Sequence, residues 1–169
     1  GFATKGKTKR STVFINDVVR EAVSFSEVEM RHNHITAELN LDEEIQPVLA
    51  NSIQIEQVIL NLIQNAIEAM KDTPKKLRKL IISTTMLDDA VEIAVKDAGK
   101  GIDKDSEKNI FESFVTTKSE GLGIGLSICQ SIIESHGGRI YFKDNSDRGV
   151  TFCFTLPLKA KKIVGAFDV

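Results

Sequence analysis

Apolar residues recur at helical intervals from Phe14 to about Met30, where Val18, Val19, Ala22, Val23 and Phe25 form one stripe and predict a first helix. The period then changes: over His34 to Leu41 the apolar Ile35, Ala37 and Leu39 alternate with polar residues, as in a half-buried strand. A second helix is predicted from Ser52, which can cap it, to Lys71, with Asp72-Thr73-Pro74 ending it. Lys79–Met86 and Ala90–Lys96 are β-rich and separated only by Leu87-Asp88-Asp89, so they read as two antiparallel strands. A third helix is expected from Gly123, carrying Ile124, Ile128, Cys129, Ile132 and Ile133 and stopping at His136-Gly137-Gly138. Strands over 139–143 and 149–156 complete the set. The predicted fold is a two-layer α/β (α+β) sandwich, with a mixed, largely antiparallel sheet covered by helices on one face.

The second helix has an unusual polar face. Placed at 100° intervals, Ile55, Val58, Ile59, Leu62, Ile63, Ala66, Ala69 and Met70 spread over a broad buried arc. Gln54, Gln57, Asn61, Asn65 and Glu68 fall on one narrow stripe, and a thin ribbon of amides on an otherwise apolar helix suits the lining of a cavity. In the second strand of the 79–96 pair, Val91, Ile93 and Val95 alternate toward one face, and Asp97 follows in the same phase. Its carboxylate is therefore expected to point inward.

The bulk properties narrow the field. A chain of 169 residues suits one domain with a real core. Its 22 Lys and Arg against 24 Asp and Glu leave a net charge of -2, which argues against a nucleic-acid or anionic-lipid surface. Cys129 and Cys153 have neither the spacing of a zinc site nor that of a disulfide framework, and a reducing cytoplasm fits them best. No apolar run approaches the ~20 residues of a membrane span, and no signal-peptide pattern opens the chain, so no direct membrane contact is expected. Residues 1–11 read as a linker, 12–158 as the domain and 159–169 as a tail.

Four segments carry the chemistry: NLIQNAIEAM at 61–70, DAGKGI at 97–102, IFESFVTTK at 110–118 and GLGIGLSI at 121–128. Asn65 offers a neutral oxygen of the kind that binds magnesium alongside waters and substrate phosphates. Asn61, one turn earlier, can orient a metal-bound water or a phosphate. The alternative for both is a pair of buried amides satisfying backbone groups. An inward Asp97 needs hydrogen-bond donors. An adenine amine would supply one, and the amides of the following turn are the other candidate. Gly99 and Gly101 would let a flat base slide against the main chain, with Ile102 packing beside it. Gly121, Gly123 and Gly125 precede and open a helix, so their amides and the helix's positive end suit phosphate oxygens, unless they form only a flexible turn. Their pattern is neither a P-loop nor a dinucleotide fingerprint. Lys118 stands just upstream of them, placed to meet a terminal phosphate or simply solvated. Phe111 and Phe114 are either core or the base of a flap over 115–121.

At these residues the chain resembles the catalytic, ATP-binding domain of bacterial sensor histidine kinases, a branch of the superfamily that also holds gyrase, Hsp90 and MutL ATPases, over roughly residues 12–157. The resemblance implies the Bergerat-type fold and ATP and Mg2+ as cofactors. It makes Asn65 the metal ligand with Asn61 assisting, Asp97 the adenine reader, and Gly99 and Gly101 the base-facing turn. Phe111 and Phe114 fall in the aromatic box, and Gly121, Gly123 and Gly125 hold the phosphates. Ile102, Thr117, Lys118, Leu122 and Leu126 complete the nucleotide-binding set, with Thr151 beside the aspartate; Asn61, Asn65 and Lys118 form the catalytic group. The chain departs from the family at Glu68, where many members carry a basic residue, which shifts phosphate binding toward Lys118. The short TTKSEGLGIGL stretch, IEAM and IIESHGG look most like the nitrogen-regulatory and oxygen-sensing group of these kinases.

The family phosphorylates a histidine on a separate helical-hairpin dimerisation domain. His32, His34 and His136 all lack the expected histidine-acid-hydrophobic context, His136 reading as a helix-end packing residue and the other two as exposed. The acceptor hairpin is therefore expected elsewhere in a longer parent, membrane-anchored or not, which passes phosphate to a response regulator. The rival expectations are a nucleotide-gated interaction module without transfer, and an anti-sigma-type protein-serine kinase.

Overall fold

The computed structural model describes residues 9–112 and 120–158, without the side chains of 120–124. A five-stranded sheet holds β2 (Thr36–Asn40), β4 (Lys79–Met86), β5 (Ala90–Lys96), β6 (Ile140–Asp144) and β7 (Val150–Pro157) in the order β2-β4-β5-β7-β6. β2 runs parallel to β4 and every other pairing is antiparallel. Helices α1 (Ile15–His32), α2 (Ser52–Ala69) and α3 (Glu120–Ser135) cover one face. The mixed, largely antiparallel sheet with one helical layer is the architecture the alternating and helical periods predict.

The core lies between those layers. Leu80 and Ile82 of β4, Val91, Ile93 and Val95 of β5, and Phe152, Phe154 and Leu156 of β7 are buried against Ile55, Val58, Ile59, Leu62, Ile63 and Ala66 of α2 and Leu126, Cys129 and Ile133 of α3. Each large side chain withdrawn from water in this way contributes roughly 1.5–3 kcal/mol before conformational entropy is counted. α2 sits centrally, and for this reason its polar ribbon can reach the site.

Four local expectations change. Phe25 is 66% exposed, because the buried face of α1 is set by Ile15, Val18, Val19, Ala22, Ser26 and Met30, and Phe25 lies off that arc. α2 is capped by Asn51 and not by Ser52: the Asn51 side chain accepts from the Gln54 backbone amide at 3.1 Å. A two-stranded antiparallel sheet, β1 (Ser11–Val13) with β3 (Val48–Ala50), was not legible, since three residues are too few to display a period; β1 also starts one residue inside the expected linker. Finally, α3 begins at Glu120 and not at Gly123. Each helical glycine costs about 1 kcal/mol relative to alanine, a penalty that the buried Leu126, Cys129 and Ile133 downstream can carry.

Candidate active site

A cavity of about 200 Å³ opens where α2, α3, the end of β5 and the start of β7 meet. Asn65, Glu68, Ala69 and Lys71 line it from α2 and its C-terminal turn, and Asp97, Lys100, Gly101 and Ile102 from the segment after β5; Leu126, Val150, Phe152 and Ile110 complete the wall. One apolar slot thus holds one buried amide and one buried carboxylate, with charged side chains around it.

Asp97 is only 4% exposed. Its Oδ1 accepts from the amides of Gly99 at 2.9 Å and Val150 at 3.2 Å, while its own backbone amide donates to the Val150 carbonyl at 3.0 Å. Burial pushes its carboxyl above the usual carboxylate range, and the two amide donors oppose that shift only in part. Gly149 presses on the same residue: at φ +83°, a Cβ there would stand 2.3 Å from the Asp97 carbonyl oxygen and 2.6 Å from Oδ1. Asn145 Nδ2 donates to the Asp97 carbonyl oxygen at 2.9 Å and so fixes the turn from the other side.

Asn65 is buried, and its Nδ2 has no hydrogen-bond partner among the described residues. Such an orphaned polar atom is rare inside a fold and leaves this side chain able to engage a ligand in the cavity. Half a turn of the carboxamide exchanges nitrogen for oxygen, so the side chain can present Oδ1 to a cation.

Residues 50–160 match the family described as histidine kinase-, DNA gyrase B-, and HSP90-like ATPases. The chain belongs to that family. Among its relatives, Sensor protein FixL of Bradyrhizobium diazoefficiens is 38% identical over 157 residues, covering 92% of this chain and 31% of that protein. Sensor protein TdiS of Thauera aromatica is 40% identical over 159 residues, covering 93% and 29%. The chain therefore spans less than a third of the length of these two relatives. Among solved structures, the nucleotide-free catalytic domain of histidine kinase ThkA superposes with a TM-score of 0.81 at 35% identity, covering 92% of this chain and 99% of that one. ThkA in complex with response regulator protein TrrA matches with a TM-score of 0.77 at 33% identity, covering 90% and 43%. This is a histidine kinase-type catalytic domain.

Of the residues singled out from the sequence, the kinase fold gathers Asn65, Asp97, Gly101, Ile102 and Leu126 around the cavity. Phe111 stands behind it in an aromatic cluster, its ring 6.2 Å and edge-on from Phe152 and 6.5 Å from Phe142. Gly99 supports the site from outside: a Cβ there would lie 2.4 Å from the Ala69 carbonyl oxygen, so the turn packs directly on the end of α2. Asn61 and Gly125 are neighbours between α2 and α3, with Asn61 Nδ2 3.7 Å from Cys129 Sγ. Thr151 is not among the lining residues. It pairs with Lys96 and Lys143, whereas Phe152 pairs with Val95 and Phe142, and the pleat therefore turns Thr151 to the opposite side from the cavity wall. Its hydroxyl donates instead to Asn145 Oδ1 at 2.5 Å. Phe114, Thr117 and Lys118 lie outside the described residues, and Gly121, Leu122 and Gly123 are described only as the first turn of α3.

Sequence reasoning missed Val150, Gly149, Asn145, Lys71 and Lys100. A glycine before a β-rich run was the only local sign of Gly149, and the others become site residues only through strand pairing and the closure of α2 on the 97–102 turn. No helix among the described residues is long and apolar enough to cross a membrane.

Proposed function

We propose that this domain binds MgATP in the cavity and passes the γ-phosphoryl group to a histidine on a separate helical hairpin, from which it moves on to a response regulator. The reading is carried by the meeting, in one apolar slot, of a buried carboxylate and a buried amide whose nitrogen has no partner among the described residues. With Oδ1 of Asp97 engaged by two backbone amides, its other oxygen would accept from an adenine amine, and Ile102, Ile110 and Leu126 would flank the base. Asn65 would hold magnesium through Oδ1, and the ion would supply charge neutralisation on the phosphate oxygens. The amides of the first turn of α3, at Gly121 and Gly123, together with Thr117 and Lys118, would hold the phosphates.

In the transfer a bond forms between an imidazole nitrogen and the γ-phosphorus, the bond to the β–γ bridging oxygen breaks, and ADP leaves with that oxygen. The chain's part is positioning. Asn61 is an amide and cannot take a proton from water, whereas a neutral imidazole needs no base, so hydrolysis should be slow beside transfer. A response-regulator partner is supported by the TrrA complex of ThkA.

Calorimetric titration with ADP, with and without magnesium, tests the binding half: wild-type protein should bind and Asp97→Ala should not. Incubation with MgATP labelled in the γ-phosphate and a histidine-bearing hairpin tests transfer, the expected product being an acid-labile phosphoprotein. Unchanged binding by Asp97→Ala, or an acid-stable label, would sink the proposal.

A further inference from the structure

The two asparagines on α2 stand one turn apart, yet their amides have different surroundings. Asn65 Nδ2 is without a partner among the described residues, whereas Asn61 Nδ2 lies 3.7 Å from Cys129 Sγ, and the same sulfur lies 3.9 Å from the Val58 carbonyl oxygen. A thiol has one weak donor and a weak acceptor. Both contacts are satisfied together when S–H is directed at the Val58 carbonyl and the sulfur receives the Asn61 N–H. One turn earlier on α3, Gly125 runs alongside: a Cβ there would stand 3.9 Å from both Cγ and Nδ2 of Asn61, at van der Waals distance. The amide is thus held between the backbone of α3 and the thiol.

We infer that Cys129 is a positioning residue that engages the nitrogen of Asn61 and leaves Oδ1 as the atom Asn61 turns to the nucleotide. Asn61 then acts as an acceptor, toward a metal-bound water or an N–H of the incoming nucleophile, and not as a donor to phosphate. This rests on the assignment of Asn61 given above, and it narrows the two uses an amide could have there to one. The setting suits the role. Cys129 is fully buried, and burial pushes its thiol up to about 11, so at neutral pH it keeps the proton that it donates to Val58. The contact also makes Asn61 sensitive to α3, whose first turn carries the phosphate-binding glycines of the proposed site.

Two substitutions separate positioning from packing, since valine removes the acceptor in a somewhat larger side chain and serine keeps the acceptor in a smaller one. With phosphoryl transfer to the hairpin as the assay, Cys129→Val should lose roughly tenfold in kcat, below the ~100-fold that a 1 Å misplacement can cost, with KM for ATP near wild type and a melting temperature no lower than that of Cys129→Ser. Cys129→Ser should keep most of kcat even where its melting temperature falls. In the double variant with Asn61→Ala, Cys129→Val should cost nothing further. The inference is overturned by full kcat in the valine variant, by losses that multiply with Asn61→Ala, or by kcat tracking melting temperature in both variants. If Asn61→Ala alone transfers phosphate as well as wild type, the assignment of Asn61 is wrong and the inference goes with it. Unaltered ADP binding in the Cys129 variants distinguishes these results from a failure of the binding site.

Discussion

Asp97 is a side chain whose burial opposes the stability of the empty fold. Because its carboxyl titrates above the usual range when folded, the folded state binds a proton more readily than the unfolded chain there. Stability of the nucleotide-free domain accordingly falls as pH rises through that window and stays lower above it. Asp97→Asn keeps an oxygen for the amides of Gly99 and Val150 but removes the buried charge. It should raise the melting temperature without nucleotide at neutral pH while weakening ADP about 10- to 100-fold, as expected for a lost hydrogen bond to a charged group. In wild type, affinity should decline on acidification already above the ordinary carboxylate range. Titration calorimetry between pH 4 and pH 8 checks both signs, and flat affinity would mean that the carboxylate does not read the base.

At the scale of elements, the joint between the start of α2 and the end of α3 is set by one imidazole. His136 Nε2 accepts from the Asn51 backbone amide at 3.1 Å, and its Nδ1 stands 2.8 Å from the Ile132 carbonyl oxygen, an arrangement met by the neutral ring with its proton on Nδ1. Burial, with a smaller contribution from Arg10, lowers its titration below the ordinary histidine range. The unfolded chain therefore takes up the proton first as pH falls. The stability supplied by this joint should be complete above about pH 6.5, the ordinary histidine value, and lost progressively below it. Urea unfolding at pH 7.5 and pH 5.5 should show a larger drop for wild type than for His136→Gln. Equal drops would assign the pH dependence to other groups. Asn51 serves the same joint twice, since its side chain also caps α2.

The whole molecule should register nucleotide as stability, because the cavity is assembled from α2, α3, β7 and the 97–102 turn and does not exist in the unfolded chain. At a free concentration of a hundred times Kd, a ligand of the folded state adds about 2.7 kcal/mol, a rise of roughly 5–10 °C for a domain of this size. Thermal scans with MgADP should show that rise in wild type. Asn65→Ala should lose only the part that depends on magnesium, and Asp97→Ala nearly all of it. A rise that survives Asp97→Ala would place the nucleotide elsewhere.

Periodicity alone determined the helices, most strands and the inward direction of Asp97, because helical and strand periods are local properties of neighbouring residues. The amide ribbon with Asn61 and Asn65 was legible for the same reason. Pairing between distant strands was not. Nothing in the order of residues says that β5 lies beside β7, yet that pairing brings Gly149 and Val150 to Asp97 and turns Thr151 away. Nor does any local pattern show that Gly99 rests on Ala69, or that Cys129 meets Asn61 across two helices. Such contacts join residues far apart in the chain, and only the packed sheet and its helical layer decide which of them are made.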